Sequence, residues 1–288
     1  MGGGSYCTTT RMARAEDLGY HTKSVHETFS QRQINNAMNP HGVKLREARD
    51  SKEHPNSVAI MLALDLTGSM GSVPHHLVKD GLPNIMDGII QKGVKDPQLL
   101  FVGVGDHECD DSPLQVGQFE SSDELLDKWL TDIYLEGGGG GNYGESYLLA
   151  WYFAGYHTSI DCWEKRQRKG YLFTIGDEPT LKDVPKAAVQ KIMGPGQYQK
   201  YTAAQLLDKA RETYNVYHLH ISETGAGSDP TTVAGWRQLM GKNLIEVKHH
   251  AEVSDIIADI VTKNENGQQK VTGKKESSTE EPSEEVML

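Results

Sequence analysis

The chain has 288 residues, a length that suits one large α/β domain with appendages or two small domains. Its 40 acidic residues against 29 basic ones leave a formal charge of −11, which argues against a nucleic-acid partner, since that needs a basic patch to displace counterions. The three cysteines, Cys7, Cys109 and Cys162, are far apart and form no CxxC pair, so neither a zinc ribbon nor a disulfide framework is expected and a reducing compartment is the default.

The start, MGGGSYCTTTRMARAED, lacks the apolar core of a signal peptide, and Tyr6 stands where a myristoylation motif wants Ser or Thr. No apolar run approaches membrane-spanning length, so the expectation is a soluble, cytoplasmic protein without a membrane partner. Residues 1–55 are polar and read as an N-terminal extension, in which SVHETFSQRQINNAM suits a short helix. SVAIMLALD, 57–65, is apolar without alternation, the pattern of a strand buried on both faces. Val73, Leu77, Val78, Ile85, Met86, Ile89 and Ile90 then follow a helical period, with a break or kink expected at Gly81 and Pro83.

QLLFVGVGD, 98–106, reads as a second buried strand and LQVGQF, 114–119, as a short edge strand. SSDELLDKWLTDIYL, 121–135, opens on a Ser/Asp cap and continues as a helix. EGGGGGN, 136–142, is a loop, and ESYLLAWYFAGYHT, 145–158, a helix. GYLFTIGDEP, 170–179, is a strand ending in a carboxylate loop. A helix at 201–214, a strand at 215–222, a helix at 231–241, a short strand NLIEV and a final helix at 250–263 complete the alternation. The expected fold is α/β and doubly wound: a mostly parallel central sheet with one short antiparallel edge strand and helices on both faces. Residues 56–263 make this domain, and 264–288, charged and poor in apolar residues, read as an acidic disordered tail.

Three loops that leave three strands are chemically loaded. They are Asp65-Leu66-Thr67-Gly68-Ser69, the glycine run with Asn142, Tyr143, Gly144 and Glu145, and Gly176-Asp177-Glu178. In an open parallel sheet such loops meet in one crevice beyond the carboxyl ends of the strands. Asp65, Thr67 and Ser69, at alternate positions, can each turn an oxygen toward one point, which suits a hard divalent cation such as Mg²⁺. The two hydroxyls are neutral ligands, so the ion keeps residual charge for one further anionic oxygen. The glycine run lacks the GK[ST] ending of a phosphate loop.

D-x-T-G-S-M after a hydrophobic strand resembles the metal-ion-dependent adhesion site of von Willebrand factor A (vWA) domains. GGGGGNYGES is similar to the second loop of the hemicentin and α-kinase subgroup, and FTIGDEP matches the family's third loop. The resemblance runs over roughly residues 56–263 and implies a vWA, Rossmann-like fold. It implies that Thr67 and Ser69 bind Mg²⁺ (or Mn²⁺ or Ca²⁺), with Asp65 in the same shell and Asp177 as a second carboxylate. Asn142 stands where the family has Thr or Asp, and Glu145 matches the subgroup's Glu, within reach of a metal-bound water. The implied function is a non-enzymatic protein-binding module, its metal completed by a partner's Asp or Glu. Intracellular relatives often work beside AAA+ ATPases or in multiprotein complexes.

Other readings stay open. Asp65 with Thr67, and Asn142 with Glu145, also suit helix caps. GDHECDDSP, 105–113, puts Asp106 on the same rim, as a further cation or partner contact or as a charged surface turn. The histidine pairs, His218 and His220 among them, read as structural or surface residues. Asp65 after a buried strand also resembles the nucleophile of Mg²⁺-dependent haloacid-dehalogenase phosphatases, with Asp177 and Asp183 on the metal. Thr67 then occupies the place of that family's general acid.

Overall fold

The unbroken apolar run that starts at residue 57 folds as an interior strand, and every residue from Val58 to Asp65 is buried. The computed structural model describes residues 5–71, 73–136 and 142–276, the side chains of Ser69 and of 268–276 excepted. The strands are β1 (Arg46–Ala48), β2 (Val58–Asp65), β3 (Pro97–Val104), β4 (Leu114–Val116), β5 (Thr158–Ile160), β6 (Gly170–Gly176), β7 (Asp183–Val184), β8 (Tyr201–Thr202), β9 (Tyr214–Ile221) and β10 (Leu244–Val247). The helices are α1 (Thr8–Asp17), α2 (Val25–Thr28), α3 (Val73–His76), α4 (Leu82–Gln91), α5 (Asp123–Thr131) and α6 (Tyr147–Tyr156). They continue with α7 (Asp161–Glu164), α8 (Lys186–Met193), α9 (Ala203–Arg211), α10 (Pro230–Met240) and α11 (Val253–Glu276).

Six strands form the main sheet in the order β10-β9-β6-β2-β3-β4. All neighbours are parallel except β4, which pairs antiparallel with β3 at the edge, as the sequence pattern predicts. The alternation of side chains explains why β2 reads as one apolar run. Ala59, Met61 and Ala63 join the core beneath α6, α9 and α10. Ile60, Leu62 and Leu64 join the opposite core, against α4, α5 and α11. From β2 the chain moves to one side through β3 and β4, then returns to β6 on the other. The carboxyl ends of β6, β2 and β3 therefore lie side by side at the reversal of strand order, the usual place for a ligand in such sheets.

Three elements refine or differ from expectation. The helix that starts at Val73 is distorted where a break or kink is expected, and it does not end there. It widens to a π-type turn over Leu77–Gly81 and resumes as α4, with Pro83 in that helix's first turn. A wide turn absorbs the hydrogen bond that proline cannot donate. The last helix passes residue 263 and continues to Glu276. The polar N-terminal stretch carries α1, whose Arg11 is buried and ion-paired to Asp127 on α5 at 2.6 Å. That stretch also supplies β1, paired in parallel with β5. Residues 137–141 of the glycine run and 277–288 of the tail lie outside the described residues. Among those described, no helix is long and apolar enough to cross a membrane.

Candidate metal centre

Asp65 is the last residue of β2 and has no solvent exposure. The Thr67 backbone N–H and hydroxyl both donate to its Oδ1, at 2.9 and 2.5 Å. The Tyr147 hydroxyl donates to its Oδ2 at 2.5 Å. Burial pushes the Asp65 carboxyl well above the usual carboxylate range, and Asp177 adds to that shift while the three hydrogen bonds oppose it. Ser69 lies in a short 3₁₀ turn, Gly68–Met70, and its side chain is outside the described residues.

Asp177 follows the last residue of β6 and is fully buried. Strand register, with Ile175 paired to Leu64, puts Gly176 opposite Asp65 and Asp177 one residue further along the same strand end. Gly176 between them makes a close approach possible: a Cβ there would lie 1.8 Å from the Tyr147 hydroxyl and 2.8 Å from Asp65 Oδ2. On the other flank Asp65 pairs with Val104, and Asp106 lies two residues beyond, 1% exposed. Asp106 Oδ1 accepts the Glu108 N–H at 2.8 Å, and the Asp106 N–H donates to Asp110 Oδ2 at 2.7 Å. The loop of GDHECDDSP is thus tucked against the sheet through Asp106 and Asp110 instead of lying wholly in solvent.

The second loop is held between the other two. The Glu145 N–H donates to the Pro179 carbonyl at 2.8 Å, and the Leu181 N–H to the Glu145 carbonyl at 2.9 Å. The Ser146 N–H donates to the Gly105 carbonyl at 3.1 Å. Gly144 has φ of +131°, and a Cβ there would meet the Pro179 carbonyl oxygen at 2.9 Å, so glycine is required. These bonds place the Glu145 side chain inside, 4% exposed. Burial raises its affinity for a proton strongly, and Asp65, Glu178, Asp110 and Asp106 raise it further. Glu178 is half-buried; its carboxylate accepts the Gly144 N–H at 3.2 Å and its carbonyl accepts the Trp236 ring N–H at 2.9 Å.

The structure therefore gathers Asp65, Thr67, Asp106, Glu145 and Asp177 at three adjacent strand ends. Asn142 is not gathered with them. It is exposed, and its amide donates to Glu108 Oε2 at 2.9 Å. Asp183, which a phosphatase would need on its metal, stands on β7 in an ion pair with Lys200 at 2.9 Å. His218 and His220 are fully buried under the site. His218 stacks on Trp236 at 3.5 Å between centroids, and one ring nitrogen of each histidine is hydrogen-bonded, to Thr174 and to the Gly227 carbonyl. Sequence reasoning placed Tyr147 in a helix but missed its bond to Asp65.

The donor set fits a hard cation. Carboxylates are crowded in a buried place, and Asp106 Oδ2 and Glu145 Oε2 lack a hydrogen-bond partner among the described residues. Unpaired buried oxygens are costly, and a cation is the ligand that satisfies several at once. Among the described residues, no three His, Cys, Asp or Glu side chains already stand at metal-binding distance from one point. The hydroxyl of Thr67 belongs to a different donor type, suited to an oxygen-rich Mg²⁺ shell that also keeps waters.

No family model and no curated protein matches this sequence. Among solved structures it is similar to the open conformation of the pilus adhesin SpaC from Lactobacillus rhamnosus GG, at 12% identity and a TM-score of 0.48, over 78% of this chain and 31% of the adhesin. The chain thus spans under a third of that protein's length. It is also similar to the VWA domain of SpRpn10, at 11% identity and a TM-score of 0.43, over 69% of this chain and 93% of that domain. An aerotolerance-related membrane protein from Bacteroides fragilis aligns at 13% identity and a TM-score of 0.43, over 72% of this chain and 99% of that one.

Proposed function

We propose that the chain is a divalent-cation-dependent protein-binding module of the vWA type, working in a cytoplasmic complex. The observation that carries this reading is the buried acidic cluster at the carboxyl ends of β6, β2 and β3, in which Asp65 already holds the Thr67 hydroxyl. Asp65, Thr67, Ser69 and Asp177 would hold Mg²⁺, with Glu145 and Asp106 as hydrogen-bond acceptors for its waters. When bound, the ion supplies a Lewis-acidic position for a carboxylate from a partner protein. The chain's own residues do the rest: Tyr147 and Thr67 fix the Asp65 carboxylate, and the buried walls exclude competing water. Asn142, exposed and engaged by Glu108, belongs to the rim that meets the partner. No residue here is assigned a catalytic step.

Calorimetry tests the reading. Titration of the full chain with Mg²⁺ and with Mn²⁺ is expected to give saturable heat that Asp65→Ala abolishes. Equal heats from the two proteins would sink it.

A further inference from the structure

Beside the acidic cluster lies a cavity of about 400 Å³. Three of its lining residues stand two places from members of the cluster in the same loops: Glu108 from Asp106, Tyr143 from Glu145 and Pro179 from Asp177. Two residues of chain span at most about 7 Å, so the cavity's lining begins within a two-residue span of the cluster.

The walls are largely apolar, formed by the Tyr143 ring, Pro179 and Leu181 on the loop side. On the α10 side, Gly235 leaves the space open, since a Cβ there would meet nothing within 4 Å. Tyr143 is fixed over this opening by its hydroxyl, which bonds Asp229 Oδ2 at 2.5 Å and Thr232 Oγ1 at 2.6 Å. Of the charged groups at the cavity, Glu108 accepts from Asn142 and Asp183 is paired with Lys200. Lys182 is exposed and makes no ion pair with another described residue. Glu108 keeps its negative charge while it accepts the Asn142 bond, so Lys182 and Glu108 are the two lining charges outside an ion pair among the described residues, and the lining is mostly apolar.

We infer that this cavity receives a large apolar side chain of the partner protein, adjacent in its chain to the acidic residue that meets the metal. Lys182 attracts the acidic flank, and the Tyr143–Leu181 wall takes the apolar group. The inference rests on the binding-module reading and adds a sequence preference to it. Acid alone would make every exposed Asp or Glu a partner; an adjoining apolar pocket restricts recognition to an acidic–apolar pair.

The test uses immobilised peptides Gly-Gly-Xaa-Asp-Gly-Gly and Gly-Gly-Asp-Xaa-Gly-Gly, with Xaa as Gly, Ala, Lys, Leu, Met, Phe or Trp. They are probed with the full chain in MgCl₂ and in EDTA. Spots with Leu, Met, Phe or Trp are expected to retain at least fivefold more protein than those with Gly. Gly235→Leu, which fills the cavity from an open helix position, is expected to erase that preference and leave the calorimetric Mg²⁺ heat unchanged. Lys182→Glu, at an exposed site, is expected to lower retention on every Asp spot several-fold. Retention that needs Asp and Mg²⁺ but is equal for Gly and Leu overturns the cavity inference and leaves the module reading standing. An apolar preference that Gly235→Leu erases, yet that persists in EDTA, supports the cavity and overturns the metal reading. No retention on any spot overturns both.

Discussion

The Tyr147 hydroxyl, at the start of α6, donates to the Asp65 carboxylate at the end of β2 across 2.5 Å. The contact exists because Gly176 leaves that space empty. Two substitutions probe it from opposite sides. Tyr147→Phe deletes a buried hydrogen bond to a carboxylate and is expected to cost about 2 kcal/mol. Gly176→Ala forces a methyl into the hydroxyl and is expected to cost about 1–3 kcal/mol as overpacking. The double variant is expected to cost less than the sum, because removing the hydroxyl relieves part of the clash. Urea denaturation of the four proteins measures this; strict additivity would show that the two residues do not share the space.

The N-terminal stretch is held by a buried charge pair. Arg11 on α1 is 1% exposed, Asp127 is 3% exposed, and Arg11 also donates to the Val78 carbonyl. Removing one partner strands the other, so Arg11→Met is expected to destabilise the protein by about 3 kcal/mol. The double variant Arg11→Met with Asp127→Leu removes both charges and is expected to recover most of that loss. Thermal or urea unfolding of the two variants decides the matter. If Arg11→Met alone is silent, α1 does not contribute to the stability of the rest.

Asp50 gives a pH dependence whose sign follows from its partners. Burial favours its neutral form, but Arg166 grips both oxygens at 2.7 and 3.1 Å and Ser57 donates twice, so its carboxyl is held down at about 2. A carboxylate held below its unfolded value contributes stability that is full above the unfolded pKa. That contribution is lost as pH falls toward 2. With partial solvent screening, the contribution is about 1–2 kcal/mol. Unfolding free energy measured from pH 6 to pH 2.5 is expected to fall less steeply in Asp50→Asn than in the natural chain. Parallel curves would remove Asp50 from the acid-labile set.

The main sheet was legible because its central strands are covered on both faces, which turns each into an apolar run that no helix period explains. β2, β3 and β6 announce themselves this way, whereas β9 carries Asn215, His218 and His220 among its apolar residues; Asp65 and Asp177 follow directly from two strand ends. α1 was not legible, since the residue it buries is an arginine, and nothing local tells a buried Arg11 from an exposed one. β1 depends on pairing Arg46 with Thr158, a contact with no local signature. Tyr147 was hidden for another reason: every residue of α6 from Tyr147 to Ala154 is buried, so periodicity cannot say which of them turns to Asp65. The rim position of Asn142 depends on Glu108 in a different loop, a relation that spacing along the chain does not contain.

Crowded carboxylates set a cost that a cation removes, and this fixes the sign of a final pair of measurements. Without metal, Asp65 stands buried with the charge of Asp177 working against its own, and Asp65 and Asp106 in turn help keep the proton on Glu145. Asp65→Asn keeps the shape: its side-chain oxygen can still accept from Thr67, and the NH2 that replaces Oδ2 can donate to the Tyr147 hydroxyl oxygen once that hydroxyl turns. Relief of like-charge repulsion is expected to stabilise the metal-free protein by about 1 kcal/mol, which for a chain of this size is roughly 2–4 °C in Tm. In Mg²⁺ the order reverses. The natural chain gains stability by mass action, about 2.7 kcal/mol at a hundredfold excess over Kd, while Asp65→Asn gains little. Thermal unfolding in EDTA and in MgCl₂ therefore gives two crossing results. If Asp65→Asn is the less stable protein in EDTA, the carboxylate serves the fold and not a cation. If Mg²⁺ shifts both proteins equally, the ion binds somewhere other than the end of β2.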